Sequence, residues 1–298
     1  MSERLNFHEE VRKNKFMSIV LMVLFFFILI GLGWIIGFIY SDMIVIPSIF
    51  GILALIYSLI MYKAGTSVVI KLSGARPVTK QEYPHYFHTI EGLALAAGIP
   101  QPKAYVIDDP SLNAFAAGTD PKKAIVAVTT GLLKKANREQ LEGVLAHEVA
   151  HIRNYDVRLM LVATIFVGII TLISEVAIRM LIFGGGRNRG GGKGGHPIMI
   201  IIGVIFIILA PIFAYLVKLA VSRKREFVAD ADGARLTRYP EGLASALELI
   251  KQDAEKPTKF NKGMEHMYFS NPVKKGFWKN LFSTHPDTDE RIKRLRSM

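Results

Sequence analysis

The sequence predicts a mostly α-helical membrane protein, with four transmembrane helices in two hairpins and a cytoplasmic α+β domain built around a short sheet. Three observations predict it. Mean hydropathy is +0.31 although 21% of the 298 residues are charged, so the apolar residues must be gathered into blocks. Four such blocks occur, each near the ~18–20 apolar residues that a helix needs to cross a bilayer. The polar segments between and after them alternate short β-rich runs with helical repeats. A purely soluble protein is excluded.

Residues 1–15 form a basic tail. Spans 16–40 and 44–62 make the first hairpin (16–62), turning at Ser41-Asp42 with Pro47 near the start of the second span. The first span is too long for the ~7–15-residue core of a signal peptide and offers no small-x-small cleavage site, so it reads as a retained anchor. A polar segment, 63–156, follows. A second hairpin, 157–221, contains spans 157–183 and 197–217. Its loop, 184–196, holds eight glycines in thirteen residues. A phosphate loop is excluded there because Lys193 is followed by Gly194, and the loop reads as a flexible linker. Residues 222–298 form a polar tail.

Lys and Arg number 37 against 25 Asp and Glu, a net charge of +12. The placement of the charge shows what it is for. Arg12, Lys13 and Lys15 precede the first span, Lys63 and Lys71 follow the second, Arg153 and Arg158 flank the third, and Lys218, Arg223, Lys224 and Arg225 follow the fourth. Basic flanks of this kind mark the cytoplasmic side, which puts both termini and both polar parts there. No basic stripe with interleaved aromatics suggests nucleic acid. With no cysteine, thiol catalysis, disulfides and thiolate metal sites are excluded.

Within 63–156 the expected elements are a strand at 66–70, an amphipathic helix over 84–97 capped by Gly98, and strands at 104–107 and 124–128. Residues 113–117 form a third strand candidate. The tail reads as helices over 242–252 and 288–296.

The chemistry is concentrated at His147-Glu148-Val149-Ala150-His151, an HExxH motif in a helical context. Residues four apart share a helix face, so both histidines can aim a ring nitrogen at one metal ion. Glu148 is then placed to act as general base. Zinc suits two imidazoles and a carboxylate with a fourth position left to water, whose acidity it raises while polarising a scissile carbonyl. Two spans separate this motif from the tail, so the chain returns to the same side. There Glu226 is the third-ligand candidate, although it could equally pair with Arg223 or Arg225. Asp230 shares its helix face and could accept the free N–H of a liganding histidine. Glu175 and Arg179, near the far end of span three, read as an interfacial ion pair.

HEVAHIRNYD, EFVADADGA, SLNAFAAG and STHPDTDERI together resemble the HtpX-type membrane zinc proteases, relatives of the Ste24-type prenyl proteases. The resemblance spans nearly the whole chain. It implies a zincin-like catalytic domain with one Zn2+ per chain held by His147, His151 and Glu226, and Glu148 as base. It also implies that Asn113 lies on an active-site edge strand beside an extended substrate, and that His285 steadies the developing oxyanion. The expected activity is endoproteolysis of misfolded or damaged membrane proteins, or unfolded polypeptides, at the cytoplasmic face of the bacterial plasma membrane. Expected contacts are the lipid bilayer and either a second copy of the chain or other quality-control proteins. A site-2-type intramembrane protease fits less well, because charged residues flank HExxH on both sides. Ste24-type processing also fits less well, because that family builds a larger chamber from more spans. A non-catalytic zinc scaffold would have no need of Glu148.

Overall fold

A computed structural model describes residues 7–39, 41–164, 166, 223–253 and 286–298. Helix α1 (Phe7–Ile39) and helix α2 (Val45–Ser73) form an antiparallel hairpin. The Asp42 side chain accepts the N–H groups of Ile44 and Val45 at its turn. Segment Val11–Ile35 of α1 is long and apolar enough to cross a membrane; α2 also qualifies if its two halves, bent by 68° near residue 61, count as one span. The expected spans 157–183 and 197–217 lie almost wholly outside the described residues, as does the glycine-rich loop.

Two expectations are corrected here. Helix α1 begins about nine residues before the apolar block, so 7–15 is helix rather than tail, and Asn14 and Lys15 on it contact residues 154–156 of the polar domain. The strand expected at 66–70 is the last part of α2. Thr66, Val68, Val69 and Ile70 are β-branched and read locally as strand. Val69 is buried in a cluster with Leu21, Phe25 and Leu32 of α1, and that packing overrides propensity.

The other expected elements of the polar domain form. Helix α3 (Pro84–Ala97) ends at Gly98 in the left-handed region, as the expected cap requires. Strands β1 (Arg76–Pro77), β2 (Lys103–Ile107), β3 (Ala114–Ala117) and β4 (Ile125–Thr129) make one mixed sheet in the order β1-β2-β4-β3. The β2–β4 pair is parallel and the other two are antiparallel. Only β1, two residues including a proline, was not legible beforehand.

The sheet separates two cores. Ala104, Val106, Ala114, Ala116, Val126 and Val128 face α3 and helix α5 (Arg138–Arg153). The alternate residues Ile107, Phe115, Ala117, Ile125 and Ala127 face Leu21 and Phe25 of α1 and Leu159, Leu161 and Phe166. Both faces are covered, so the central strand β4 shows no polar alternation and all five of its residues are buried. The foot of the apolar hairpin is therefore part of the domain's own packing.

Helix α4 (Thr130–Lys135) leads into α5, whose start is fixed by a capping box. Asn137 Oδ1 accepts the Gln140 N–H at 2.8 Å, and Gln140 Oε1 accepts the Asn137 N–H at 3.0 Å. Helix α5 packs against α6 (Arg223–Thr237) and α7 (Pro240–Gln252), and α8 (Thr288–Arg296) packs against α7. Gly233 lets α6 close on α5: a Cβ there would stand 3.0 Å from the His147 backbone nitrogen. At the other end α5 stops at Arg153 rather than running on to Asp156. Tyr155 adopts φ 61°, and a new helix starts at 156. The HExxH helix and the helix that follows it are thus separated by a two-residue turn.

Candidate metal centre

Helix α5 places His147 and His151 one turn apart on its buried face, with their Nε2 atoms 3.0 Å from each other. Helix α6 brings Glu226 across them. Its Oε1 lies 3.4 Å from His151 Nε2 and its Oε2 3.7 Å from His147 Nε2. All three residues are buried, and among the described residues they form the group able to hold a metal ion. The geometry suits zinc: donors about 2.0–2.1 Å from a tetrahedral ion stand about 3.3 Å apart, and the three observed separations bracket that value. The donor set, two imidazoles and one carboxylate, also leaves a fourth position, as hydrolytic zinc sites do.

Each histidine is oriented from behind. Asp230 Oδ1 accepts His147 Nδ1–H at 2.9 Å. The Asp230 carboxylate is gripped at both oxygens by Arg291, from Nε at 2.8 Å and Nη2 at 2.7 Å. Asp156 Oδ2 accepts His151 Nδ1–H at 2.9 Å. These contacts fix the tautomers and turn both Nε2 atoms toward the centre. Neither Asp156 nor the grip of Arg291 on Asp230 followed from the sequence. Asp156 lies five residues beyond His151, past the end of the helix, so helical spacing gives no sign of it. Arg291 stands 61 residues from Asp230, so no local spacing links the two. Asp232, two residues after Asp230, accepts from Asn154 Nδ2 at 3.0 Å and pairs with Arg235.

Burial sets the electrostatics. Burial first, then the neighbouring charge of Glu226, pushes the Glu148 carboxyl up to about 7 despite the opposing influence of His151. Burial and the adjacent His151 hold His147 below the ordinary imidazole value. His151 is also lowered by burial, but its hydrogen bonds to Asp156 and Glu226 overcome this and raise it. For Asp230 the burial penalty is outweighed by the Arg291 charge, and its carboxyl is held below the ordinary range.

Glu148 is buried beside the two histidines and accepts the main-chain N–H of Ala116 in β3, one of the two edge strands of the described sheet. Asn113 stands immediately before that strand. Its Oδ1 accepts the Ala114 N–H at 3.0 Å, and its carbonyl accepts from Thr129. His285 lies outside the described residues.

The sequence pattern of peptidase family M48 matches residues 81–298. The Protease HtpX homolog of Streptococcus uberis is 41% identical, covering 98% of this chain and 99% of its own length. The Protease HtpX homolog of Dictyoglomus thermophilum is 48% identical over 80% of this chain and 77% of its own. Among solved structures, the S. mikatae Ste24p crystal structure superposes with a TM-score of 0.51 at 20% identity, over 82% of this chain. The present chain spans only 57% of that protein's length, and at that identity the likeness concerns the fold. The chain belongs to peptidase family M48, as a metalloprotease of the HtpX type.

Proposed function

We propose that this chain is a zinc-dependent endopeptidase anchored in the bacterial plasma membrane, where it cleaves misfolded or damaged membrane proteins at the cytoplasmic face. The observation that carries the reading is the convergence of His147, His151 and Glu226 beside Glu148, on a sheet whose other face is packed by an apolar helix long enough to span a bilayer. The contact between α5 and α6 supports the four-span topology. Glu226 meets the histidines, so residues 223 onward stand on the same side as His151, as two intervening crossings would leave them. The basic flanks then favour the cytoplasm for both parts and both termini.

Zinc, when bound to the two histidines and Glu226, supplies Lewis acidity toward a peptide carbonyl and lowers the pKa of water in its open position. Glu148 takes up the proton released in the attack and returns it to the leaving amine. Its carboxyl stands buried beside both histidines, in place for both halves of that exchange. The substrate lies extended along β3, in contact mainly through its main chain, with Asn113 fixing the start of that strand. Main-chain pairing tolerates many sequences, which suits the removal of damaged proteins. His285 serves as an oxyanion donor in this reading.

The deciding experiment compares detergent-purified wild type and Glu148→Gln on casein and on a membrane-protein substrate, with zinc content measured in both. Equal zinc and a rate loss of about 10²–10⁴ in the variant support the reading. Equal zinc with undiminished cleavage removes Glu148 from the mechanism. Equal zinc with no cleavage by the wild type favours a zinc-containing scaffold.

A further inference from the structure

We propose that Asn14, on the first apolar helix, is a positioning residue for the metal centre. It orients Asp156, which in turn orients His151. The inference rests on the reading of His151 as a metal ligand and extends it to the far end of the chain.

Asn14 is 3% exposed, near the N-terminal end of the apolar segment of α1. Its carboxamide nitrogen donates to Asp156 Oδ1 at 2.7 Å and to the Asn154 carbonyl at 3.0 Å. Both N–H groups of one side chain are thus spent on a single turn, some 140 residues away in sequence. The other oxygen of Asp156 accepts His151 Nδ1–H at 2.9 Å. Two consecutive hydrogen bonds therefore lead from the membrane helix to the imidazole whose Nε2 faces His147 and Glu226.

Asp156 needs such a hold. Helix α5 ends at Arg153, and Tyr155 takes a left-handed conformation that costs a non-glycine residue about 1 kcal/mol or more. The helix bearing the ligands thus does not dictate where the Asp156 carboxylate stands. The turn is held from both sides instead. The Lys15 ammonium lies 4.0 Å from the centre of the Tyr155 ring, one residue along from Asn14. Asn154 Nδ2 donates to Asp232 of α6. A leucine at position 14 would satisfy packing alone. A buried amide is costly unless both its donors are met, and these are met on the one turn that sets a ligand's orientation. By linkage, the seating of the membrane helix and the affinity for zinc become coupled and reciprocal.

The test uses the full chain in detergent. Zinc affinity is measured by competition with a chromophoric chelator, and thermal unfolding of the metal-free protein is followed in parallel. Asn14→Leu keeps the branched outline and removes the donors, and Asn14→Ala is the second variant should the bulkier leucine disturb folding. Ser18→Ala is the control on the same helix. Ser18 is buried, and its hydroxyl bonds back to the Asn14 carbonyl without reaching Asp156. We expect zinc affinity to fall about tenfold in both Asn14 variants, at least as far in Asp156→Asn, and to stay unchanged in Ser18→Ala. The metal-free unfolding temperature of Asn14→Leu should stay close to wild type, which separates positioning from packing. Unchanged zinc affinity in both Asn14 variants, with Asp156→Asn weakened, overturns the role of Asn14 and leaves the metal centre intact. Unchanged affinity in Asp156→Asn as well overturns the whole relay. A wild type that binds no zinc overturns the metal centre first, and this inference with it.

Discussion

The two histidines of the metal centre stand one turn apart on one helix, yet opposite ends of the chain hold them. His147 is backed by Asp230 and then by Arg291, both from the C-terminal part of the catalytic domain. His151 is backed by Asp156 and then by Asn14, which arrives on the apolar helix α1. The first support is a short, bidentate ion pair; in the second the short contact is a neutral amide, with Arg225 Nε farther off at 3.5 Å from the same Asp156 oxygen. A buried carboxylate gripped at both oxygens by a guanidinium is strongly coupled to its partner, and removing either leaves an expensive orphan. A neutral amide fixes direction at lower stake. The C-terminal support should therefore dominate folding stability, whereas the N-terminal support should act mainly on the ligand.

The sharpest way to break this asymmetry is Arg291→Ala. Arg291 is 2% exposed, and its loss strands Asp230 against His147 alone. The expected cost is about 3–5 kcal/mol, measured by denaturant unfolding of the metal-free protein. Stability equal to wild type would mean that Arg291 is not what makes the burial of Asp230 tolerable, and the contrast between the two supports would collapse.

A smaller effect distinguishes the carboxylates themselves. Asp230→Asn and Asp156→Asn should each weaken zinc binding about tenfold to a hundredfold, since each loses the charge that raises a ligand's basicity. Asp230→Asn should also lose more stability in the metal-free state, because its short ion pair with Arg291 is fully buried, whereas that of Asp156 with Arg225 is longer, at 3.5 Å, and less deeply buried. Chelator competition and metal-free unfolding, run on both variants, separate the two. Equal stability losses would show that the supports are of one kind.

These supports were unequally legible. His147, Glu148 and His151 follow from a motif whose four-residue spacing suits one helix face, and Asp230 follows from the same spacing beyond Glu226. Asp156 and Asn14 obey no period. The position of Asp156 is set by the left-handed Tyr155, and Asn14 matters only through a contact 142 residues distant in sequence. Residue 14 falls where the charge pattern suggests a free cytoplasmic tail, and its burial is settled by packing. The same cause explains the fold. The sheet was readable from short β-rich runs bounded by Gly, Pro and Asp. Residues 66–70 misled because a β-branched run carries a strand signal that the contact of Val69 with α1 overrides. Local signals located what local sequence determines, and failed where α1 takes part.

The smallest expected effect tests whether the supports act locally or through general stability. Asn137 caps α5 at the end opposite the turn, ten residues and about 15 Å of helix before His147. Asn137→Ala should cost about 1 kcal/mol, because the Gln140 N–H loses its acceptor at the helix terminus. The helix that carries both ligands is then less stable, but neither Asp230 nor Asp156 has been touched. Zinc affinity should therefore equal wild type while the unfolding midpoint falls. If affinity falls in step with stability, the metal centre is responding to the rigidity of α5 as a whole, and the losses expected of Asp156→Asn and Asn14→Leu would need no positioning role to explain them. If only the midpoint moves, orientation of the two rings is governed from behind, by the last two contacts at either end of the chain.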